Sequence, residues 1–188
     1  EDDEDDPDAA SKPERTYTRS DKHGLIGVII HEIGHIYFPM TVNSDERQWT
    51  WMDEGINTFS EARVTDEAGF ANHLTARFFG NFVPWVLDDI PSQRATDGNR
   101  LSGYRRSAEA ETPATPSFRY WPGNTWAGIT YYKPALWLHT LERRLGWPVL
   151  QRILSTYFDR WKFKHPHPAD FFAVVNEVSG QDMTWFFD

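Results

Sequence analysis

The chain has 188 residues and no cysteine, and 39% of its residues are hydrophobic. A chain of this length can bury a real core, and without cysteine it can form neither disulfide bonds nor thiolate metal sites. The formal charge of −9 comes mostly from an acidic start, because seven of the 28 acidic residues lie within the first eight positions. The nearly balanced remainder carries no basic stripe, so nucleic acid is not expected as a partner.

Two regions are predicted along the chain. Residues 1–20 form an acidic, polar leader that we expect to be flexible, and residues 21–188 form the folded lobe. The sequence begins with Glu1 and shows no secretion signal, which suggests a fragment of a longer protein. No apolar run is long enough to cross a membrane, so the sequence predicts a soluble chain and leaves export open.

The sequence of the first part of the folded lobe predicts three helical stretches. An apolar run over 23–38 predicts a buried helix that is stopped by Pro39. A second helix is predicted to run from about Ile56 to the region of Gly69. A third apolar stretch over 70–87 is also expected to be helical.

The second part predicts a loop and then four more helices. Residues 88–125 are rich in Gly, Pro, Ser and Thr with weak periodicity, so they predict a long surface loop. Helical patterns follow over 128–145, 148–162 and 168–179, and Asp182 is expected to begin a last helix. The sequence therefore predicts a mainly α fold.

A short motif within the first helix carries metal chemistry. His31, Glu32 and His35 form an H-E-x-x-H motif, in which the two histidines lie one helical turn apart on one face. Glu32 is rotated by about 100°, close to a metal-bound water without being a ligand. Catalytic zinc takes three protein ligands, and Glu54, which eighteen intervening residues separate from His35, can supply the third. We therefore predict one Zn²⁺ per chain, bound by His31, His35 and Glu54.

These motifs resemble the aminopeptidase N family of gluzincin (thermolysin-like) zinc metallopeptidases. That family has H-E-x-x-H, an eighteen-residue gap and a W-x-x-E-G box, which corresponds here to Trp51–Gly55. Residues 131–135 resemble the family's Y-x-K-G-A box, in which the tyrosine stabilises the oxyanion of the reaction. The resemblance implies that Tyr131 has this role. It also implies that the chain is the helical catalytic lobe of a thermolysin-like zinc peptidase domain whose upstream β-rich part is missing.

The sequence departs from the family pattern at three points. Pro134 stands where the family usually has glycine, and Asp53 stands where asparagine is common; we expect both to be tolerated. The Gly-x-Met-Glu-Asn segment, which lies upstream of the zinc helix in the family and binds the free amine of the substrate, is absent. Without the sheet that the zinc helix normally packs against, we expect exposed apolar surface over 25–38.

The resemblance implies a metalloaminopeptidase that removes N-terminal residues from peptides. The expected mechanism is attack by a zinc-bound water with Glu32 as the general base. Two alternatives stay open: a catalytically incomplete peptidase-like binding module, and an endopeptidase of the same superfamily. Thr58 and Glu61 follow Glu54 by four and seven residues on the second helix, so they are candidates to orient the two imidazoles.

Overall fold

The computed structural model describes residues 17, 19–70, 72–73, 91–107, 112–119 and 125–187. Within these residues the fold is mainly helical, as predicted, and none of the helices is long and apolar enough to cross a bilayer. The leader predicted over 1–20 lies outside the described residues, apart from Tyr17 and the first two residues of the first helix. The α-helices of more than three residues are α1 Arg19–Gly34, α2 Ile56–Glu67, α3 Ala95–Ser107, α4 Lys133–Leu145, α5 Trp147–Trp161, α6 Pro168–Ser179 and α7 Thr184–Phe187.

Helix α1 ends earlier than its apolar pattern suggests. The helix stops at Gly34, and a wider turn follows in which Phe38 leaves helical geometry with φ −135° and ψ 109°. Pro39 explains this departure, because a residue before proline is pushed out of the α region and proline itself has no backbone N–H. The carbonyl of Phe38 is therefore free to accept a hydrogen bond from a side chain.

One face of α1 and the following turn is apolar and exposed. The exposed fraction is 61% for Leu25, 54% for Ile33 and 71% for Met40, and Val28, Ile29, Ile36 and Tyr37 are also exposed. The prediction of exposed apolar surface over 25–38 is confirmed. The prediction of a buried helix is wrong for this face, because no other described element covers it.

Two helices are preceded by wider, π-helical turns. Residues Trp51–Gly55 lead into α2, and residues Gly128–Tyr132 lead into α4. Glu54 lies in the first of these turns and Tyr131 lies in the second. Single π turns occur frequently at functional sites, and here each one carries a residue that the sequence analysis selected.

The prediction of a long surface loop over 88–125 is wrong where the chain forms α3. Asp66, in the last turn of α2, caps the first residues of α3. The Oδ1 atom of Asp66 accepts from the backbone N–H of Ala95 at 2.6 Å, and its Oδ2 atom accepts from that of Thr96 at 3.2 Å. Gly103 lets α3 approach α4 closely, since a Cβ atom there would lie 2.9 Å from Leu136.

A short antiparallel ladder joins β1, Asn72–His73, to β2, Pro91–Gln93. The helix predicted over 70–87 is therefore wrong at residues 72–73. Residues 74–87 of that prediction lie outside the described residues.

The last four helices form as the sequence predicts, and they pack with α2 around one core. Gly146, with φ +84°, separates α4 from α5, and Gly180, with φ +66°, ends α6. Both glycines adopt positive φ values, which disfavour any side chain. The core contains the fully buried side chains of Phe59, Leu138, Leu141, Leu150, Ile153 and Phe171.

The centre of the lobe depends on a close approach between α1 and α2 at Gly34. A Cβ atom at Gly34 would overlap the side chain of Asn57, which is buried and donates from Nδ2 to the carbonyl of His31 at 2.7 Å. This bond ties the backbone of the H-E-x-x-H segment to α2. Glycine is therefore required between the two histidines for a steric reason.

Replacing Gly34 with alanine is expected to lower the free energy of unfolding by about 1–3 kcal/mol, because Asn57 must move and lose its bond. Gly24→Ala is the matched control, since Gly24 also lies in α1 but nothing stands within 4 Å of its Cβ position. That variant should be unchanged or more stable by up to about 1 kcal/mol. Urea unfolding of both variants checks the pair, and equal stabilities would rule out the close approach.

Candidate metal centre

The side chains of His31 in α1, His35 directly after α1, and Glu54 in the turn before α2 converge on one point. The Nε2 atom of His31 lies 2.9 Å from Oε2 of Glu54, and the Nε2 atom of His35 lies 3.3 Å from the same oxygen. One ligand atom from each of these residues can be chosen so that all lie within 4.8 Å of one another. Among the described residues, no other group of three His or acidic residues has this arrangement.

The donor set fits a divalent zinc ion. Zinc prefers nitrogen and oxygen donors at about 2.0–2.2 Å, and tetrahedral ligands at that radius stand about 3.4 Å apart. The two nitrogen–oxygen separations of 2.9 and 3.3 Å are close to this spacing. Each side chain is also only partly exposed, at 14% for both histidines and 18% for Glu54. The three residues could therefore bind one metal ion with little rearrangement.

A second carboxylate lies behind His31. Its Nδ1 atom is 3.1 Å from Oε2 of Glu61 on α2, so the spacing argument identified this contact correctly. A carboxylate at this nitrogen fixes the orientation of an imidazole ligand. The other candidate, Thr58, makes no such contact: its buried hydroxyl has no hydrogen-bond partner in the part of the chain that the structure describes.

Two groups that the sequence analysis did not select lie behind His35. Its Nδ1 atom lies 2.9 Å from the carbonyl oxygen of Phe38 and 2.8 Å from Oδ1 of Asp53. The carbonyl is available because Phe38 leaves the helix before Pro39. The sequence does mark Asp53, because the family commonly has asparagine at this position before Glu54. Residue spacing alone could not show that the Asp53 side chain is directed toward His35.

The carboxylates of the site strongly change the pKa values of the neighbouring side chains. Hydrogen bonds to Glu54 and Glu61 raise the pKa of His31 to about 10. Burial alone would raise the pKa of Glu54, but hydrogen bonds with His31 and Tyr131 outweigh it and lower that pKa. Since a histidine ligand must be neutral, a metal ion at Nε2 of His31 would replace the second proton of its imidazole.

The pKa values of Asp53 and Tyr131 are both raised. Burial, followed by the charge of Glu54, raises the pKa of Asp53 to about 7. Burial, with the hydrogen bond to Glu54, raises the pKa of Tyr131, and the charge of Glu32 adds to this effect. Tyr131 therefore keeps its proton at neutral pH and can act as a hydrogen-bond donor.

The two remaining candidate residues lie beside the cluster. The hydroxyl of Tyr131 donates to Oε1 of Glu54 at 2.8 Å, on the oxygen that does not face the histidines. Glu32 is exposed and contributes no ligand atom to the cluster. The structure thus places Glu32 and Tyr131 around the ligand set rather than within it.

Pro134 lies against Gly55 in the turn that carries Glu54. A Cβ atom at Gly55 would overlap the ring of Pro134, so the Trp51–Gly55 turn lies directly against the start of α4. Proline is tolerated there because it occupies the first turn of α4. This contact helps to hold Glu54 and Tyr131 at hydrogen-bond distance.

Several known proteins are similar to the chain in sequence. Aminopeptidase M1 of Arabidopsis thaliana is 24% identical over 162 residues, which cover 86% of this chain and 17% of that protein. Glutamyl aminopeptidase of Rattus norvegicus is 25% identical over 162 residues, covering 86% of this chain and 16% of its own length. The chain thus spans less than a fifth of the length of either relative.

A solved structure shows the same fold. It is a mutant M1 zinc metallopeptidase from Deinococcus radiodurans with a bound Tyr-Ser-Ala substrate. Its TM-score is 0.59 at 16% identity, and the match covers 85% of this chain and 32% of that one. Residues 9–188 match the Peptidase family M1 domain. The chain therefore belongs to peptidase family M1.

Proposed function

We propose that this chain provides the catalytic residues of a zinc-dependent metalloaminopeptidase. The observation that carries the proposal is the convergence of His31, His35 and Glu54 on one point. Membership of family M1 and the names of the aminopeptidase relatives support peptides as the substrate class. The substrate would be a peptide with a free N-terminus, whose first residue is removed by hydrolysis.

In this proposal His31, His35 and Glu54 hold one zinc ion. A bound zinc ion supplies Lewis acidity, which makes water more acidic and polarises a carbonyl group. Glu61 orients His31 by accepting from Nδ1, and the carbonyl of Phe38 orients His35 in the same way. Both imidazoles are thereby held with Nε2 directed at Glu54.

Glu32 and Tyr131 carry out the proton transfer and the charge stabilisation. Glu32 accepts the proton of the attacking water and passes it to the leaving amine. Its exposure leaves it accessible to water and substrate. The hydroxyl of Tyr131, which keeps its proton, donates to the carbonyl oxygen as negative charge develops there. Its present acceptor, Oε1 of Glu54, holds the hydroxyl at the edge of the site until substrate arrives.

A zinc-loaded longer polypeptide that includes this chain is expected to hydrolyse an aminoacyl-p-nitroanilide and to leave its N-acetylated form intact. Release of nitroaniline from both reporters measures the preference directly. Cleavage of the blocked reporter or of an internal peptide bond would favour an endopeptidase of the same superfamily. One bound zinc without any turnover would favour the binding module instead.

The proposal extends to a longer polypeptide. The exposed apolar face of α1 supports packing against a segment beyond these 188 residues, and the greater length of the relatives agrees with this. Such a segment would cover apolar surface that costs free energy when it is in contact with water. Full activity of a strictly monomeric 188-residue chain would contradict this part of the proposal.

A further inference from the structure

Asp53 places a buried carboxylate directly behind one of the proposed metal ligands. It precedes Glu54 in the Trp51–Gly55 turn, and its side chain is 9% exposed. Its Oδ1 atom lies 2.8 Å from Nδ1 of His35, whereas Nε2 of the same ring faces Glu54. Asp53 is therefore on the side of the imidazole away from the proposed metal, and it cannot be a ligand itself.

The hydrogen bonds around His35 leave Asp53 without a donor. When Nε2 binds a metal, Nδ1 carries the ring proton. That N–H is directed at the carbonyl of Phe38, so Oδ1 of Asp53, although buried and 2.8 Å from Nδ1, has no hydrogen-bond partner among the described residues. A buried, unpaired carboxylate oxygen destabilises a fold unless a positive charge stands nearby.

His31 shows what a carboxylate does in this position. Glu61 accepts from its Nδ1 atom, so one imidazole already has an acidic partner of the ordinary kind. Asp53 likewise lies beside Nδ1 of His35, on the side of that ring away from Glu54. An uncharged amide of the same shape would occupy this space without the penalty of a buried charge.

We propose that Asp53 is a positioning residue that strengthens the binding of a divalent metal through His35. Its negative charge attracts the Nδ1–H edge of the ring and makes Nε2 a better electron donor. The penalty of burying the unpaired oxygen in the metal-free chain is offset when the ion binds on the other side of the ring. This inference rests on the proposed function, since it requires a metal at His31, His35 and Glu54.

The test compares Asp53→Asn with the unaltered 188-residue chain. Asparagine keeps the shape and removes the charge, so we expect zinc affinity, measured by chelator competition, to fall about 10–100-fold. The urea midpoint of the zinc-free variant should be equal or higher, because a buried charge has been removed. Cobalt(II) in place of zinc should show a shifted visible absorption band. Asp159→Asn is the control, since Asp159 is 67% exposed and lies outside the metal cluster.

Each outcome separates this inference from the proposed function. An unaltered chain that binds no zinc would contradict both. Zinc binding that is equally tight in Asp53→Asn and the unaltered chain would overturn only the role of Asp53. A zinc-free Asp53→Asn chain that is less stable, or does not fold, would assign Asp53 an ordinary structural role and overturn the inference as well.

Discussion

Glu32→Gln is expected to reduce peptide hydrolysis by about 10²–10⁴-fold, the contribution of a well-placed general base. Glutamine has nearly the same shape but cannot accept a proton from water at neutral pH. Glu32 contributes no atom to the ligand cluster, so zinc should bind to the variant as tightly as to the unaltered chain. Turnover of an aminoacyl reporter and zinc content, both measured on the same preparation, check this result.

Two comparison variants make the result specific. Glu67→Gln alters an exposed glutamate on α2 and should leave turnover unchanged. Tyr131→Phe removes one hydrogen-bond donor and should slow turnover by about 10²–10³-fold with zinc retained. Hydrolysis that persists in Glu32→Gln would remove Glu32 from the mechanism, whatever the other variants do.

Glu54→Ala is expected to abolish zinc binding at micromolar concentrations and hydrolysis with it. The Oε2 atom of Glu54 faces both imidazoles, and Oε1 holds Tyr131, so one substitution removes a ligand and three contacts. The loss of affinity should exceed the roughly 10–100-fold effect of removing an outer partner of a ligand. Isothermal titration with zinc measures it.

Glu61→Gln supplies the graded comparison for Glu54→Ala. Glu61 contacts His31 from behind and does not face the cluster centre, so its substitution should weaken zinc binding without abolishing it. A Glu54→Ala chain that keeps the same zinc affinity as Glu61→Gln would show that Glu54 is not a ligand.

Much of this site follows from residue spacing on helices. His35 follows His31 by four positions, and Glu61 follows Glu54 by seven, so each pair shares a helical face. The eighteen-residue gap then leaves room for α1 to end and α2 to pack against it. These local rules also predicted the C-terminal helices, because Gly146 and Gly180 mark their ends.

The remaining features depend on contacts that are distant in sequence. Helix α3 has weak periodicity and is capped by Asp66, so no pattern within 88–125 could indicate its start. The contact of Asp53 with His35 depends on the π-helical turn before α2, which turns this side chain toward α1. Spacing based on a regular helix cannot predict such a change of direction.

The exposure of α1 was predictable only through the resemblance. Its run of Leu, Val and Ile residues is typical of a buried helix, and local pattern alone says nothing about what covers it. The described residues leave that face uncovered, with Leu25 and Met40 the most exposed of its apolar side chains.

A crystal structure of the chain grown with excess zinc tests the central claim most directly. We expect one anomalous zinc peak per chain, about 2.0–2.2 Å from Nε2 of His31, Nε2 of His35 and a carboxylate oxygen of Glu54. A zinc ion bound elsewhere, or no zinc between these three side chains, would contradict the account.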